Sequence, residues 1–232
     1  GFKTSLNYFG HGNWMWSENE WGGSEDHKST LPTCNPPNCF KDLWDTDHPA
    51  ADLAGTAYEE ELFRDRFTKI IQEHDADTPL FLYYGSKVAH YPLQAPESYQ
   101  KKFSFIDDDN RRMYAAMVNY LDDNLANMTA QLKQKGMWDS TMFVLSSDNG
   151  GYVKSPLGGC YPDSEHGTAC FNGEAGANNY PLRGGKYCHF EGGIRANAFV
   201  TGGFIPASRR GTKSGALMHI ADWYSTFCSL AG

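Results

Sequence analysis

The sequence predicts an α/β fold, a mostly parallel or mixed sheet flanked by helices. Two short apolar runs of strand length, residues 79–84 (PLFLYY) and 141–145 (TMFVL), are separated by a long stretch of helical periodicity. Strand, helix, strand in that order favours parallel neighbours in one sheet. A hydrophobic content of 40% across 232 residues is enough to build a core, which sets the chain apart from disordered sequences.

The elements follow in chain order. Residues 1–50 are rich in Gly, Trp, Asn and Asp without a sustained period, and read as loops with short elements. Thr56-Ala57-Tyr58-Glu59 has capping-box form. Behind it Tyr58, Leu62, Phe63, Phe67, Ile70 and Ile71 recur at helical spacing, predicting an amphipathic helix over 57–74. The unbroken apolar run 79–84 predicts a strand buried on both faces. Asp107 to Asn110 suits a helix N-terminus. Met113, Met117, Tyr120, Leu121, Leu125, Met128 and Leu132 then mark a long helix ending at Gly136. Residues 141–145 predict a second buried strand and 197–201 a third. The stretch 150–180 is a long Gly-rich loop, and 217–230 reads as a closing helix.

Charge and cysteines bound the function. Lys and Arg number 20 against 28 Asp and Glu, a net charge of −8. That balance argues against a nucleic-acid binder, which needs a broad basic face. No apolar run approaches the roughly 18 residues of a membrane span. Gly1 stands where an initiator methionine would, and the chain stops at Gly232 directly after the last helix-like stretch. Both ends read as cuts through a longer protein. Cys34 and Cys39 bracket a turn with two prolines, and Cys160 and Cys170 bracket a polar segment. These local pairs are disulfide candidates and suggest an oxidising compartment. Asn127-Met128-Thr129 is a glycosylation sequon that agrees with the secretory pathway. The alternative is zinc held by Cys160, His166, Cys170, Cys188 and His189, although paired C-x-x-C brackets are missing. Cys188 and Cys228 read as buried free thiols or as partners of cysteines elsewhere.

Chemistry in an α/β sheet gathers at the carboxyl ends of strands. Past the first run lies His90, a potential proton donor near neutral pH; its bland alternative is a histidine bonded to a nearby carbonyl. Past the second comes Ser147-Asp148-Asn149-Gly150-Gly151, where Asp148 and Asn149 offer hard oxygen ligands for Ca²⁺ or Mg²⁺; Asn-Gly is also a common turn dipeptide. Between Pro181 and Arg195 lies a cationic island of Arg183, Lys186 and Arg195, with Glu191 the one acid. A lysine on a glycine turn suits an oxyanion such as sulfate or phosphate. Glu191 and Arg195 read as a structural pair.

Taken together, His90-x-Pro-Leu-Gln-x-Pro96, Ser146-Ser147-Asp148-Asn149-Gly150-Gly151 and Asn178-Asn179-x-Pro-Leu-Arg-Gly-x-Lys186 resemble the sulfatase family, with its alkaline-phosphatase-like fold. The similarity runs along nearly the whole chain and leans to the arylsulfatase B, or N-acetylgalactosamine-4-sulfatase, branch. It implies that Asp148 and Asn149 are Ca²⁺ ligands, that His90 is the active-site histidine and that Lys186 faces the sulfate, both also binding substrate. It implies one Ca²⁺, a formylglycine nucleophile made by a formylglycine-generating enzyme, a sulfated carbohydrate or aryl sulfate as substrate, and a secreted or lysosomal protein. Asn127 falls where this branch often carries a glycan.

The departures shape the expectation as much. No cysteine here sits in C-x-P-x-R, and no early Asp-Asp pair supplies the remaining ligands. Residues 1–232 therefore read as part of a catalytic domain, lacking the N-terminal catalytic segment and the smaller C-terminal domain. Alone they are expected to be inactive and to bind Ca²⁺ weakly. Residues 152–177 exceed the family's direct connection and read as a rim insertion, with a decorative surface loop as the alternative. Two other functions compete: an inactive remnant that binds sulfated ligands, and a phosphoester hydrolase of the same superfamily. Asn149, standing where a histidine would follow the aspartate, disfavours the hydrolase.

Overall fold

The computed structural model describes residues 1–9, 43–90, 93–153 and 176–232, with the backbone of 160–163 and 167–170. Two helices form its scaffold. Helix α1 spans Glu59–Glu73 and α3 spans Asp109–Gln134, and they pack side by side with the short α2 (Glu97–Lys102) against α3. The periodic positions do what their spacing predicts. Tyr58, Phe63, Phe67 and Ile71 are buried, as are Met117, Tyr120, Met128 and Leu132 on α3. The Tyr58 and Tyr120 rings meet edge to face at 4.9 Å between centroids, a favoured geometry for aromatic pairs. Asp108 caps α3 by accepting a hydrogen bond from the Arg111 amide at 2.8 Å, and Gly136 ends it at a φ of 75°.

The capping box at Thr56 does not form. Helix α1 begins only at Glu59, so that glutamate occupies the first helical position rather than the third. The Thr56 hydroxyl donates to the Leu53 carbonyl at 2.6 Å and closes the preceding turn.

Residues 80–86 also differ from expectation. They run extended but join no strand ladder among the described residues. Leu80, Leu82 and Tyr84 pack on the α1–α3 core, whereas Phe81 and Tyr83 are 60% and 74% exposed. An apolar run therefore buries one face here, because α1 and α3 cover only that side.

Strand β4 (Phe143–Ser146) pairs with β7 (Ala198–Thr201), from Phe143↔Thr201 to Ser146↔Ala198. The pairing is antiparallel, as a mixed sheet allows; the parallel neighbours expected of runs 79–84 and 141–145 do not pair among the described residues, because 79–84 joins no ladder. Among the described residues the β4–β7 connection has one helix, the four-residue α4 (Glu191–Ile194); antiparallel neighbours need no crossover helix. Near the N-terminus β1 (Leu6–Asn7), β2 (Trp44–Asp45) and β3 (His48–Pro49) form a small antiparallel sheet, tied to α1 by the Arg66–Asp45 ion pair. Strands β5 (Cys160–Asp163) and β6 (Gly167–Cys170) form a hairpin within the long Gly-rich loop. Helix α5 (Asp222–Ala231) closes the chain with no buried residue.

Cys188 is half-buried and Cys228 exposed, both as free thiols, so neither is the buried thiol expected. Cys34 and Cys39 lie outside the described residues, as do His166 and the side chains of Cys160 and Cys170. Among the described residues no cluster of three or more His, Cys, Asp or Glu could hold a metal. Asn127 sits within α3, where its Oδ1 accepts a hydrogen bond from Thr68 at 3.2 Å.

Met117 is fully buried where α3 meets the aromatic cluster. Met117→Ala is expected to cost about 2–5 kcal/mol of stability, by lost burial and a residual cavity. Denaturant unfolding of both proteins measures it.

Candidate functional site

Strand β4 delivers Asp148 and Asn149 just beyond its carboxyl end, on a turn bonded within itself. The Ser147 hydroxyl donates to the Asn149 carbonyl at 2.8 Å. The Asn149 amide donates to Asp148 Oδ1 at 2.7 Å, and Asn149 Nδ2 donates to the Gly150 carbonyl at 2.9 Å. Asp148 is exposed and Asn149 half-buried. Among the described residues, no hydrogen bond reaches Asp148 Oδ2 or Asn149 Oδ1. One carboxylate and one amide oxygen are thus left for a hard cation.

The turn is stitched to the segment that carries Lys186. Ser147 donates its amide to the Asn197 carbonyl at 2.9 Å, and Gly150 donates to Gly193 at 2.8 Å. The Lys186 amide donates to the Gly151 carbonyl at 3.1 Å, and Gly192 donates to Arg183 at 2.8 Å. Backbones meet here with no room for side chains: a Cβ on Gly150 would overlap the Gly192 carbonyl oxygen.

Asn179 locks the junction. Its Oδ1 accepts from the Gly151 amide at 3.1 Å, while its Nδ2 donates to the Gly151 carbonyl at 2.8 Å and to the Gly184 carbonyl at 3.2 Å. One amide side chain thus fixes the oxygen-bearing turn and the glycine turn before Lys186 at once. The first turns of α3 brace the assembly. Arg111 donates to the Gly176 carbonyl at 2.8 Å. Tyr114 lies against Gly151 and Gly176, and burial pushes its phenol up, with Arg111 opposing the shift and Asp148 adding to it.

Lys186 is half-buried. Burial pushes its ammonium below the ordinary lysine value, and the Asp148 carboxylate opposes the shift. Cation and hard oxygens are therefore within electrostatic reach. The rest of the island is less uniform. Arg195 pairs with Glu191 at 3.0 Å, as the sequence predicts. Arg183 stacks on the Phe190 ring at 3.9 Å from its centroid, a cation–π contact.

His90 lies on a separate segment, away in sequence from the junction of Asp148, Asn149 and Lys186. Extended residues 80–86 lead into it, and its amide donates to the Lys87 carbonyl at 2.7 Å. Beneath this loop lies Glu60 of α1, wholly buried. Glu60 Oε1 accepts from the Ser86 hydroxyl and the Lys87 amide, each at 2.9 Å, and Oε2 accepts from Tyr84. Burial raises the Glu60 carboxyl above the usual carboxylate range, and these donors oppose the shift.

The segment 152–177 leaves and rejoins the fold at one place. Ala177 lies directly against Gly151, and the Arg111–Gly176 bond pins the returning end. Inside it Cys160 and Cys170 are register partners across the β5–β6 hairpin.

Sequence reading singled out Asp148, Asn149, Lys186 and His90 but missed Asn179, Tyr114 and Glu60. Asn179 lies inside a quoted motif, yet its contact is 28 residues away, and no local period encodes such a distance. The glycine pairs at 150–151, 184–185 and 192–193 were the readable signal, since adjacent glycines mark close backbone approach.

The Sulfatase family pattern matches residues 1–232. The chain is 36% identical to Arylsulfatase J of Mus musculus over 209 residues, 90% of this chain and 31% of that protein. It is 27% identical to N-acetylgalactosamine-6-sulfatase of Rattus norvegicus over 161 residues, 69% of this chain and 26% of that protein. It thus spans less than a third of the length of either relative. The crystal structure of Ps i-CgsB in complex with k-i-k-neocarrahexaose superimposes with a TM-score of 0.62 at 23% identity, covering 86% of this chain and 39% of that one. The fold is therefore alkaline-phosphatase-like, as the motif order implies.

Asn179→Ala removes all three side-chain bonds of the junction. Buried polar groups left unpaired cost about 1–3 kcal/mol each. The Gly151 and Lys186 amides are expected to exchange with solvent at least about tenfold faster, with α1 and α3 amides unchanged. Hydrogen exchange at single-residue resolution checks this.

Proposed function

This chain belongs to the sulfatase family, and from that premise we propose that it is part of a Ca²⁺-dependent sulfatase acting on a sulfated carbohydrate or an aryl sulfate. The observation that carries the reading is the Asn179 junction, which holds Lys186 beside Asp148 and Asn149. A cation and two hard oxygens on two turns bonded backbone to backbone match the needs of a sulfate ester. The names of the relatives, Arylsulfatase J and N-acetylgalactosamine-6-sulfatase, point to the same substrate class.

Asp148 and Asn149 fit a Ca²⁺ site as a part-set, giving two of the roughly six to eight oxygens such an ion takes. Bound Ca²⁺ would neutralise charge on the sulfate oxygens. Lys186 holds a sulfate oxygen by a charge-assisted hydrogen bond. Burial lowers its pKa and so makes it a better proton donor. His90, on the loop clamped by Glu60, gives a proton to the alcohol oxygen as the S–O bond breaks. A formylglycine does not fit the cysteines of this chain: Cys34-Asn35-Pro36-Pro37 is followed by Asn38 where arginine is required. A formylglycine-generating enzyme is a partner of the whole protein on this reading.

Residues 1–232 form part of a catalytic domain on this reading, with 152–177 as a rim insertion, since both its ends sit beside the Gly151–Lys186 junction. A Cys160–Cys170 disulfide closes it. Register partners in antiparallel strands lie about 4.5–5.5 Å apart at Cα, within the span of a disulfide. The brackets at Cys34 and Cys39 and a glycan at Asn127 belong to the same secreted or lysosomal setting. No helix among the described residues is long and apolar enough to cross a membrane.

The test uses the full-length protein. Lys186→Ala and His90→Ala are each expected to lower kcat on a sulfate ester by about 10²–10⁴-fold while the protein stays folded. Asp148→Asn combined with Asn149→Ala is expected to abolish the rise in Tm on adding Ca²⁺. Unchanged kcat in both single variants, or hydrolysis of phosphate but not sulfate esters, would overturn the reading. Sulfate-ester binding without turnover by the wild-type protein would establish the inactive homologue instead.

A further inference from the structure

We propose that Glu60 is the positioning residue for His90, acting from the scaffold helix through the backbone of residues 84–90; this rests on the reading that His90 meets the substrate. Glu60 leaves α1 at its second residue and is wholly buried, an expensive place for a carboxylate unless its oxygens are occupied. They are occupied entirely by the chain that leads to His90. Tyr84 donates to Oε2, and Ser86 and the Lys87 amide donate to Oε1. The Ser86 hydroxyl also accepts from the Val88 amide at 3.1 Å, and the Lys87 carbonyl accepts from the His90 amide at 2.7 Å. From one carboxylate, bonds therefore run without a gap to the histidine backbone.

The network is braced from α3 as well. Asn124 is 2% exposed, and its Nδ2 donates to the Tyr84 hydroxyl at 3.1 Å and to the Glu60 carbonyl at 3.2 Å. Both scaffold helices thus converge on the loop. The polar and charged groups facing the Glu60 carboxylate are Tyr84, Ser86 and Lys87 of the loop, Tyr58 and Glu59 beside it on the chain, and Asn124 and Tyr120 of α3. All three hydrogen bonds to the Glu60 carboxylate come from the segment that carries a candidate proton donor. Its reach ends at the backbone, so it orients His90 without touching the substrate.

The experiment reads His90 directly and separately from turnover. Diethyl pyrocarbonate modifies imidazole, and mass spectrometry of the peptide containing His90 gives its rate and the pH midpoint of that rate. In the full-length protein, Glu60→Gln is expected to change both, and Glu60→Asp to restore them in part. Asp108→Ala, which removes the α3 N-cap and none of the bonds of residues 84–90, lowers Tm but is expected to leave both at wild-type values. On a sulfate ester, Glu60→Gln is expected to lower kcat by about tenfold to hundredfold, with KM changed far less. If Glu60→Gln does not fold, Ser86→Ala, which removes one donor and the Val88 contact, is expected to give a smaller shift in the same direction. A wild-type rate and midpoint at His90 in the folded Glu60→Gln protein, or in Ser86→Ala, overturns the proposal whatever the activity. Absence of sulfatase activity in the wild-type protein would overturn the functional reading alone, because the modification of His90 still decides what Glu60 does.

Discussion

The constraint on which the site depends is a backbone-to-backbone contact. The turn at Gly150 and Gly151 and the segment from Gly184 to Gly193 touch through amides and carbonyls, with no side chain between them. Main-chain groups are the least adjustable parts of a protein, since they carry no rotamers. Once Lys186 donates its amide to Gly151, the start of its side chain is fixed relative to Asp148 to within the play of a hydrogen bond. The Asn179 amide completes this by accepting from the Gly151 N–H and donating to the Gly151 carbonyl. A side chain at Gly150 would push the two segments apart, and the lysine and carboxylate would part with them.

Rigidity at that contact is borrowed from elements on either side. Strand β4 supplies the turn directly, and the Ser147–Asn197 bond extends the β4–β7 ladder up to the metal-type oxygens. Helix α3 contributes from its first turns, where Arg111 and Tyr114 hold the returning end of the long loop. The same helix, further along, braces Glu60 through Asn124. One element therefore braces both segments, the lysine junction near its N-terminus and the loop that leads to His90 near its middle. A long, well-capped helix packed through Met117 and Tyr120 is suited to that role, because its turns keep their spacing when loops move.

What was legible in the sequence follows from how each feature is encoded. The helices could be read because burial repeats every three to four residues: Phe63, Phe67 and Ile71, then Met117, Tyr120, Met128 and Leu132. Strands 143–146 and 198–201 could be read from short apolar runs, but not their antiparallel pairing, since direction is set by the path of the connection. The run at 79–84 misled for a related reason. Its apolar residues occupy both faces, yet α1 and α3 cover only one; on the other, Phe81 meets the Phe2 and Phe227 rings and still stays 60% exposed, as Tyr83 does at 74%. Asp148, Asn149, His90 and Lys186 were legible through residue type and motif order. Asn179 and Glu60 were not, because each acts through contacts more than twenty residues away in sequence. A buried glutamate in the first turn of a helix looks, in one dimension, like a residue placed there for the helix dipole.

Charge raises a last question, because a chain of net charge −8 is an unpromising host for a polyanion. The structure narrows the positive features to very few. Arg195 is neutralised by Glu191, and Arg183 lies on Phe190, where the ring face takes up part of its charge. Lys186 sits close to Asp148, which offsets it further. At physiological ionic strength such a small island is screened beyond about 8 Å. It does little to draw a sulfated polymer from a distance. On the proposed reading, attraction grows only when a sulfate ester is already at the rim, where burial of Lys186 lowers the local dielectric and strengthens each contact. A divalent ion at Asp148 and Asn149 would then reverse the sign of the one carboxylate beside the lysine. The site would thus favour a single sulfate group inserted into the turn over a long stretch of polyanion laid across the surface, and its selectivity would come from fit at the junction built by Asn179.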